Sequence, residues 1–353
     1  MIRRFVPSSM RARLRAWRSR EPTGPGSAFT SAQRFVRIVL ATFREAVAVH
    51  RGQTLYWHAQ VTDQDNHFAL RRNIHRWEKG LISRPRRDVF AVEYIRRTVE
   101  LFATEVSSSA GPTEVVHLTW ARDVLDDYFG QAEPHPEVDA ARNEFSAVRE
   151  LVAPSSNGRF APFQRAPDCP DLPSYAQLLA LARRRRSVRW FEDKPVPRAL
   201  VRQALEVAAQ SPSACNRQPF QFRIFDEPSM VRRVAELAAG TKGFNQNFPA
   251  IVVVVGRLRA YFHEKDRHII YIDGALASMS FLFALETLGV SSCCINWPDI
   301  PANDRRMRRL LNLAEDERVV MLIAFGFPDT TGLVPYSGKR AVDSLASFNQ
   351  ITE

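Results

Sequence analysis

The sequence predicts an α+β protein in two parts: a small all-α N-terminal region, then a mixed sheet flanked by helices on both faces. Three observations carry this. Between residues 32 and 150, apolar residues recur at helical spacing and no good strand is seen. Residues 153–173 (APSSNGRFAPFQRAPDCPDLP) are rich in proline and small polar residues, which remove backbone donors and favour an extended path. Beyond them, short uncharged runs rich in β-branched residues alternate with helical stretches. The expected division is a basic, disordered tail over 1–31, a helical region over 32–150, a linker over 151–173 and a second domain over 174–353.

Taken in order, Glu21–Ser31 (EPTGPGSAFTS) reads as a linker. Phe35, Val36, Val39, Leu40, Phe43 and Val47 then form one helical stripe. A second helix is expected near Val89–Val106 and a third over Thr119–Phe129. Between the first two, His75–Arg87 reads as a helix stopped by Gly80 and followed by a basic loop. Strands are expected at Phe220–Phe225, Ile251–Gly256, Ser291–Ile295 and Val319–Phe325. The second carries no charge and reads as a buried central strand. Helices fall near 174–184, 197–209, 229–239, 268–288 and 303–313, with Pro197 in a first turn and Gly289 as a stop. Ile269–Leu288 is apolar almost all round, but Asp273 and Glu286 interrupt it. A membrane span needs about 20 apolar residues, so the expectation is a core or subunit-interface helix and no transmembrane segment.

The 353 residues carry a net charge of +11, and the eleven arginines of residues 1–51 face only Glu21 and Glu45. The basicity therefore belongs mainly to the N-terminus and is not a protein-wide nucleic-acid footprint; no nucleic-acid partner is expected. A hydrophobic fraction of 45% supplies ample core. Of the four cysteines, none forms a CxxC pair or a zinc-spaced cluster with histidine, so no metal is expected. Vicinal Cys293 and Cys294 point to opposite faces of a strand. All four cysteines read as reduced, which fits a cytoplasmic location, and the first residues lack the apolar segment of a secretory signal.

Four clusters could carry chemistry. Arg183–Phe191 (RRRRSVRWF) holds an Arg-x-Ser-x-Arg pattern; guanidinium forks match phosphate oxygens and a serine adds a short donor. The same run on its own could be a solvated charge patch. Ser211–Phe220 (SPSACNRQPF) joins a helix to a strand and offers hydroxyls and amides to a planar ligand, although ordinary turns use the same residues. Cys293–Pro298 (CCINWP) lies at a strand end, where ligands of α/β sheets commonly sit. Gly338-Lys339-Arg340 adds a late cationic pair.

In this order and spacing, RRSVRxF, PSxxNxQPF, a charge-free valine strand, a long apolar helix closed by LGV, then GxP and a late KR resemble the nitroreductase-like flavoprotein family over about residues 174–345. The resemblance implies an α+β fold and a homodimer with two FMN sites at the subunit interface. It puts Arg185, Arg186, Ser187 and Arg189 on the FMN phosphate and ribityl chain, with Lys339 and Arg340 joining the phosphate. Pro212, Ser213, Ala214 and Asn216 would reach the flavin from the partner subunit, and the backbone of Cys294, Ile295 and Asn296 would run beside the isoalloxazine. No side chain is implied as a catalytic nucleophile. The implied activity passes hydride or electrons from NAD(P)H through the flavin to a small conjugated acceptor, nitroaromatic- or quinone-like. Three positions depart from the family pattern. Ala214 lacks a common hydroxyl, Asn296 stands where members often have an acidic residue, and Trp297 replaces a small residue, where it would narrow the substrate cavity or cover the ring. The alternative is accordingly an FMN-binding accessory or sensor protein with little turnover. The segment around His75–Arg87 faintly resembles one that precedes this domain in longer members, where it could shape a substrate entrance or a protein contact.

Overall fold

The computed structural model describes residues 31–62, 67–108, 116–156, 158–166 and 171–349. The tail expected over 1–31 lies outside them but for its last residue, as does Cys169. The chain forms two compact units that divide after Val47, within helix α1 (Ser31–Thr62). In the first unit, Phe35, Val39, Phe43 and Val47 are exposed.

The second unit takes in the rest of α1 and then helices α2 (His67–Leu81), α3 (Ile95–Ser108), α4 (Val116–Phe129) and α5 (Pro136–Val148). They enclose a core that includes Ile74, Trp77, Phe102, Leu125, Tyr128 and Phe145. Two expectations shift here. The helix expected from Val89 starts only at Ile95, because the chain turns at Ala91 with a left-handed φ of 64°. Gly80 is not a left-handed stop either: α2 runs through it to Leu81. A Cβ at Gly80 would sit 2.2 Å from Cε2 of Phe90, so the glycine serves a close ring contact.

The α/β part adds α6 (Tyr175–Arg184), α7 (Arg198–Ala208), β1 (Phe220–Phe225), α8 (Pro228–Ala235), β2 (Ala250–Arg257), α9 (Ile269–Thr287), β3 (Ser291–Ile295), α10 (Pro301–Leu311) and β4 (Glu317–Gly326). The four strands make one sheet in the order β1-β2-β4-β3, each neighbouring pair antiparallel. The parallel component is a single bridge between Ser187 and Ser292. β2 is central, and its alternation feeds two cores. Ile251, Val253 and Val255 enter the core that includes α8 and α10 residues, while Ala250, Val252 and Val254 enter the one that includes α7 and α9 residues. On β4 the phase flips between Val319 and Leu322, which share the first core. The register shift opposite Val254 and Val255 leaves Val320 as the extra residue, which is what a β-bulge does to side-chain alternation.

Gly289, at φ 75°, ends α9, and the Val290 N–H donates to the Leu285 carbonyl at 2.9 Å. This is the glycine-terminated helix stop that the sequence suggested. α9 is long and apolar enough to cross a membrane by length and composition. However, Asp273 and Glu286 are both buried and both bonded within the fold, as befits a core helix. A further cluster joins Ala48, Val49 and Phe68 of the helical part to Leu258, Ala260, Tyr261 and Ile270.

Candidate functional site

The arginine run begins where α6 ends. Arg185 caps that helix with ψ 118°, so the chain leaves in an extended path. The Val188 N–H then donates to the Ser292 carbonyl at 3.0 Å, laying the segment along the free edge of β3. Asn247 fixes its far end. Its Oδ1 accepts the Phe191 N–H at 3.0 Å, and its Nδ2 donates to the Arg189 carbonyl at 2.9 Å. One asparagine thus supplies both a donor and an acceptor to an isolated strand-like stretch, a role the sequence reading missed.

The structure therefore brings Arg185, Arg186, Ser187 and Arg189 together with the strand that carries Cys294 and Ile295 and leads into Asn296. Two donors there are buried without a partner, Nε of Arg185 and Oγ of Ser292. A buried donor left unpaired costs about 1–3 kcal/mol. Arg186 Nη2 donates to the Pro335 carbonyl at 2.5 Å and its guanidinium faces the Tyr336 ring. This draws the C-terminal segment toward the run. Lys339 and Arg340 follow and are exposed, and Arg340 donates to the Ser344 carbonyl at 2.6 Å.

Cys293 is buried, and that burial pushes its thiol up while the charge of Arg189 opposes it; Cys294 is exposed. Raised thiols are protonated at neutral pH and poor nucleophiles.

Pro212, Ser213, Ala214 and Asn216 lie elsewhere. Their loop is pinned at the start of α9, where the Ala214 N–H donates to Asp273 Oδ2 at 3.1 Å. The arginine run is pinned at the other end, where Arg184 Nε meets Glu286 Oε1 at 3.1 Å. At about 1.5 Å per residue, those two carboxylates are roughly 20 Å apart along the helix. Within one chain the two sets of predicted residues do not converge.

The loop itself is strained and heavily tied. Cys215, Asn216 and Gln218 take left-handed φ values of 53°, 51° and 51°, which non-glycine residues rarely adopt. Ser213 Oγ accepts the Gln218 N–H at 3.0 Å, and Gln218 Nε2 donates to Asn216 Oδ1 at 2.8 Å. From α2, Arg71 Nε donates to the Asn216 carbonyl at 2.7 Å. A cavity of about 650 Å³ opens between this loop and helices α2 and α4.

Trp297 packs inward from the end of β3. It is buried in the core with Met307 and Leu311, and its Nε1 donates to Asp304 Oδ1 at 2.8 Å. This burial and the bond to Asp304 hold the ring against the core. Cys293 and Ile295 face the same core by strand alternation, and the tryptophan extends that face.

Residues 182–246 and 231–327 match the model of the Nitroreductase family. That stretch, in the C-terminal half of the chain, is similar to members of this family. It is 26% identical over 183 residues to an NADH dehydrogenase of Thermus thermophilus, spanning 43% of this chain and 86% of that one. It is 28% identical over 177 residues to an iodotyrosine deiodinase of Thermotoga neapolitana, spanning 43% and 89%. Among solved structures, an FMN-dependent nitroreductase of Clostridium difficile aligns with a TM-score of 0.40 and 20% identity, over 49% of this chain and 99% of that one.

Proposed function

We propose that this protein is an FMN-dependent oxidoreductase that takes hydride from NAD(P)H and passes electrons to a small conjugated acceptor, nitroaromatic- or quinone-like. The observation that carries the reading is the pair of unpartnered buried donors, Arg185 Nε and Ser292 Oγ, beside an arginine-rich extended segment. An anionic, acceptor-rich group suits that setting. Arg185, Arg186, Ser187 and Arg189 would hold the FMN phosphate and ribityl chain, with Lys339 and Arg340 closing over the phosphate. The backbone of Cys294, Ile295 and Asn296 would offer hydrogen bonds to the ring system. When bound, the flavin supplies the redox chemistry, and the protein supplies position and electrostatics.

The separation of the two residue sets along α9 supports a homodimer, in which Pro212, Ser213, Ala214 and Asn216 of one subunit complete the site of the other. Ile272, Leu276 and Met279 make an exposed apolar stripe on α9 that such an interface would cover. The accessory-protein alternative rested on Trp297, and with that side chain in the core no observation favours it over turnover. A cytoplasmic location is proposed from the free thiols of Cys215, Cys293 and Cys294. The direct test is a visible spectrum. The purified protein is expected to be yellow and to bleach with NAD(P)H without oxygen. Protein that stays colourless after incubation with excess FMN would overturn the proposal.

A further inference from the structure

The cavity between α2, α4 and the 211–218 loop has a chemistry of its own. Arg71, His75 and Glu78 line it from α2 at helical spacings of four and three, so they form one polar stripe. Beside that stripe Leu70, Ile74 and Trp77 are buried in the helical core. Trp120 of α4 forms the facing wall: its Nε1 donates to Glu78 Oε1 at 2.9 Å, and the Arg71 guanidinium lies 5.6 Å from its ring centre. Ser211, Ser213 and Asn216 close the floor.

The charges are unequally committed. Glu78 has one oxygen on Trp120 and the other 3.7 Å from His75 Nδ1. Arg71 uses only Nε, on the Asn216 carbonyl, and its two terminal nitrogens have no hydrogen-bond partner among the described residues. Those two nitrogens form a planar fork that fits a carboxylate end-on. The space, at about 650 Å³, suits a small molecule.

We propose that this cavity binds a small planar aromatic carboxylate, with its anionic end on the Arg71 fork, its ring along Trp120 and its far end toward His75 and Glu78. Glu78 sets the polarity: a neutral or hydrogen-donating group is accepted at the far end and a second carboxylate is rejected. The floor is the loop that the flavin reading assigns to the partner's site. On that reading, which this step extends, the helical region selects acidic aromatic members of the acceptor class.

The test is calorimetric titration of the full-length protein with 4-nitrobenzoate, 4-nitrobenzamide and terephthalate, with and without added FMN. The acid is expected to bind at least tenfold tighter than the amide and tighter than the diacid. Arg71→Gln should reduce the acid to the amide's affinity, and Glu78→Gln should restore the diacid. Equal affinities in the unaltered protein, or no binding of any of the three, would overturn the proposal without reference to a variant. A preference for the acid that survives in a folded Arg71→Gln protein would do so as well. Flavin-free titrations separate the two readings. A colourless protein that prefers the acid defeats the flavin proposal and keeps this one, and a yellow protein without the preference does the reverse.

Discussion

The Tyr261 hydroxyl donates to Asp273 Oδ2 at 2.9 Å, and the same oxygen accepts the Ala214 N–H at 3.1 Å. One buried carboxylate oxygen thus anchors a core tyrosine and the strained loop together. The Arg217 guanidinium lies 4.6 Å from the Tyr261 ring centre on the same network. Burial, followed by the nearby Asp273 carboxylate, pushes the Tyr261 phenol well above its ordinary value, so it remains a donor.

Replacing Asp273 by alanine is expected to strand both donors. The cost is about 1–3 kcal/mol for each stranded group, read as a lower urea midpoint. Burial raises the Asp273 carboxyl above its ordinary value, although the bonds from Ala214 and Tyr261 and the charge of Arg217 oppose this. A raised folded-state value means that this residue's contribution is full below its unfolded value, about 3.9, and is lost as pH rises through the folded value. Denaturation across the acid range should show that fall, and Asp273→Asn should remove it.

Ser292→Ala should separate stability from ligand binding. The Oγ is buried without a partner, so its removal is expected to stabilise the flavin-free protein by about 1 kcal/mol. The same change should weaken FMN binding several-fold in a fluorescence titration. Unchanged FMN affinity would remove Ser292 from the site.

Trp297→Gly is expected to give no gain of turnover. A buried tryptophan truncated to a small residue costs about 3–5 kcal/mol, so thermal unfolding should shift strongly downward. Trp297→Phe keeps the packing and loses the bond to Asp304, about 1 kcal/mol.

At Gly80, alanine would ordinarily gain about 1 kcal/mol of helix propensity. Here the new methyl meets the Phe90 ring at 2.2 Å. Overpacking of this kind costs about 1–3 kcal/mol, so the net effect should be destabilising. Adding Phe90→Leu to Gly80→Ala should recover part of the loss, measured as a double-mutant cycle.

The α/β half was far more legible than the helical half, and the reason is local. β2 has seven consecutive uncharged residues, all buried, and Ser291–Ile295 runs from turn to turn as expected. α2 was recognised only at its C-terminal end and given a stop at Gly80. Its apolar residues Leu70, Ile74 and Trp77 are interleaved with Arg71, His75 and Glu78, which line a cavity. α5 was not expected because its core residues are only Val138, Ala141 and Phe145. The arginine segment was legible as a cation cluster. Its seat on β3 was not, since one isolated bridge at Ser187 leaves no strand pattern. Asp273 was visible only as a flaw in an apolar run. Which way Trp297 turns depends on a core shared with α10, which local sequence does not encode.

The cluster that joins Ala48, Val49 and Phe68 to Leu258, Ala260, Tyr261 and Ile270 bears on any attempt to divide the polypeptide. A fragment beginning at Ser174 would expose that apolar surface and leave the Asn216 carbonyl without its arginine. Such a fragment is expected to precipitate alone and to recover solubility when residues 48–173 are co-expressed as a separate chain. The molecule would then behave as a complementing split pair, with flavin retention reporting reassembly.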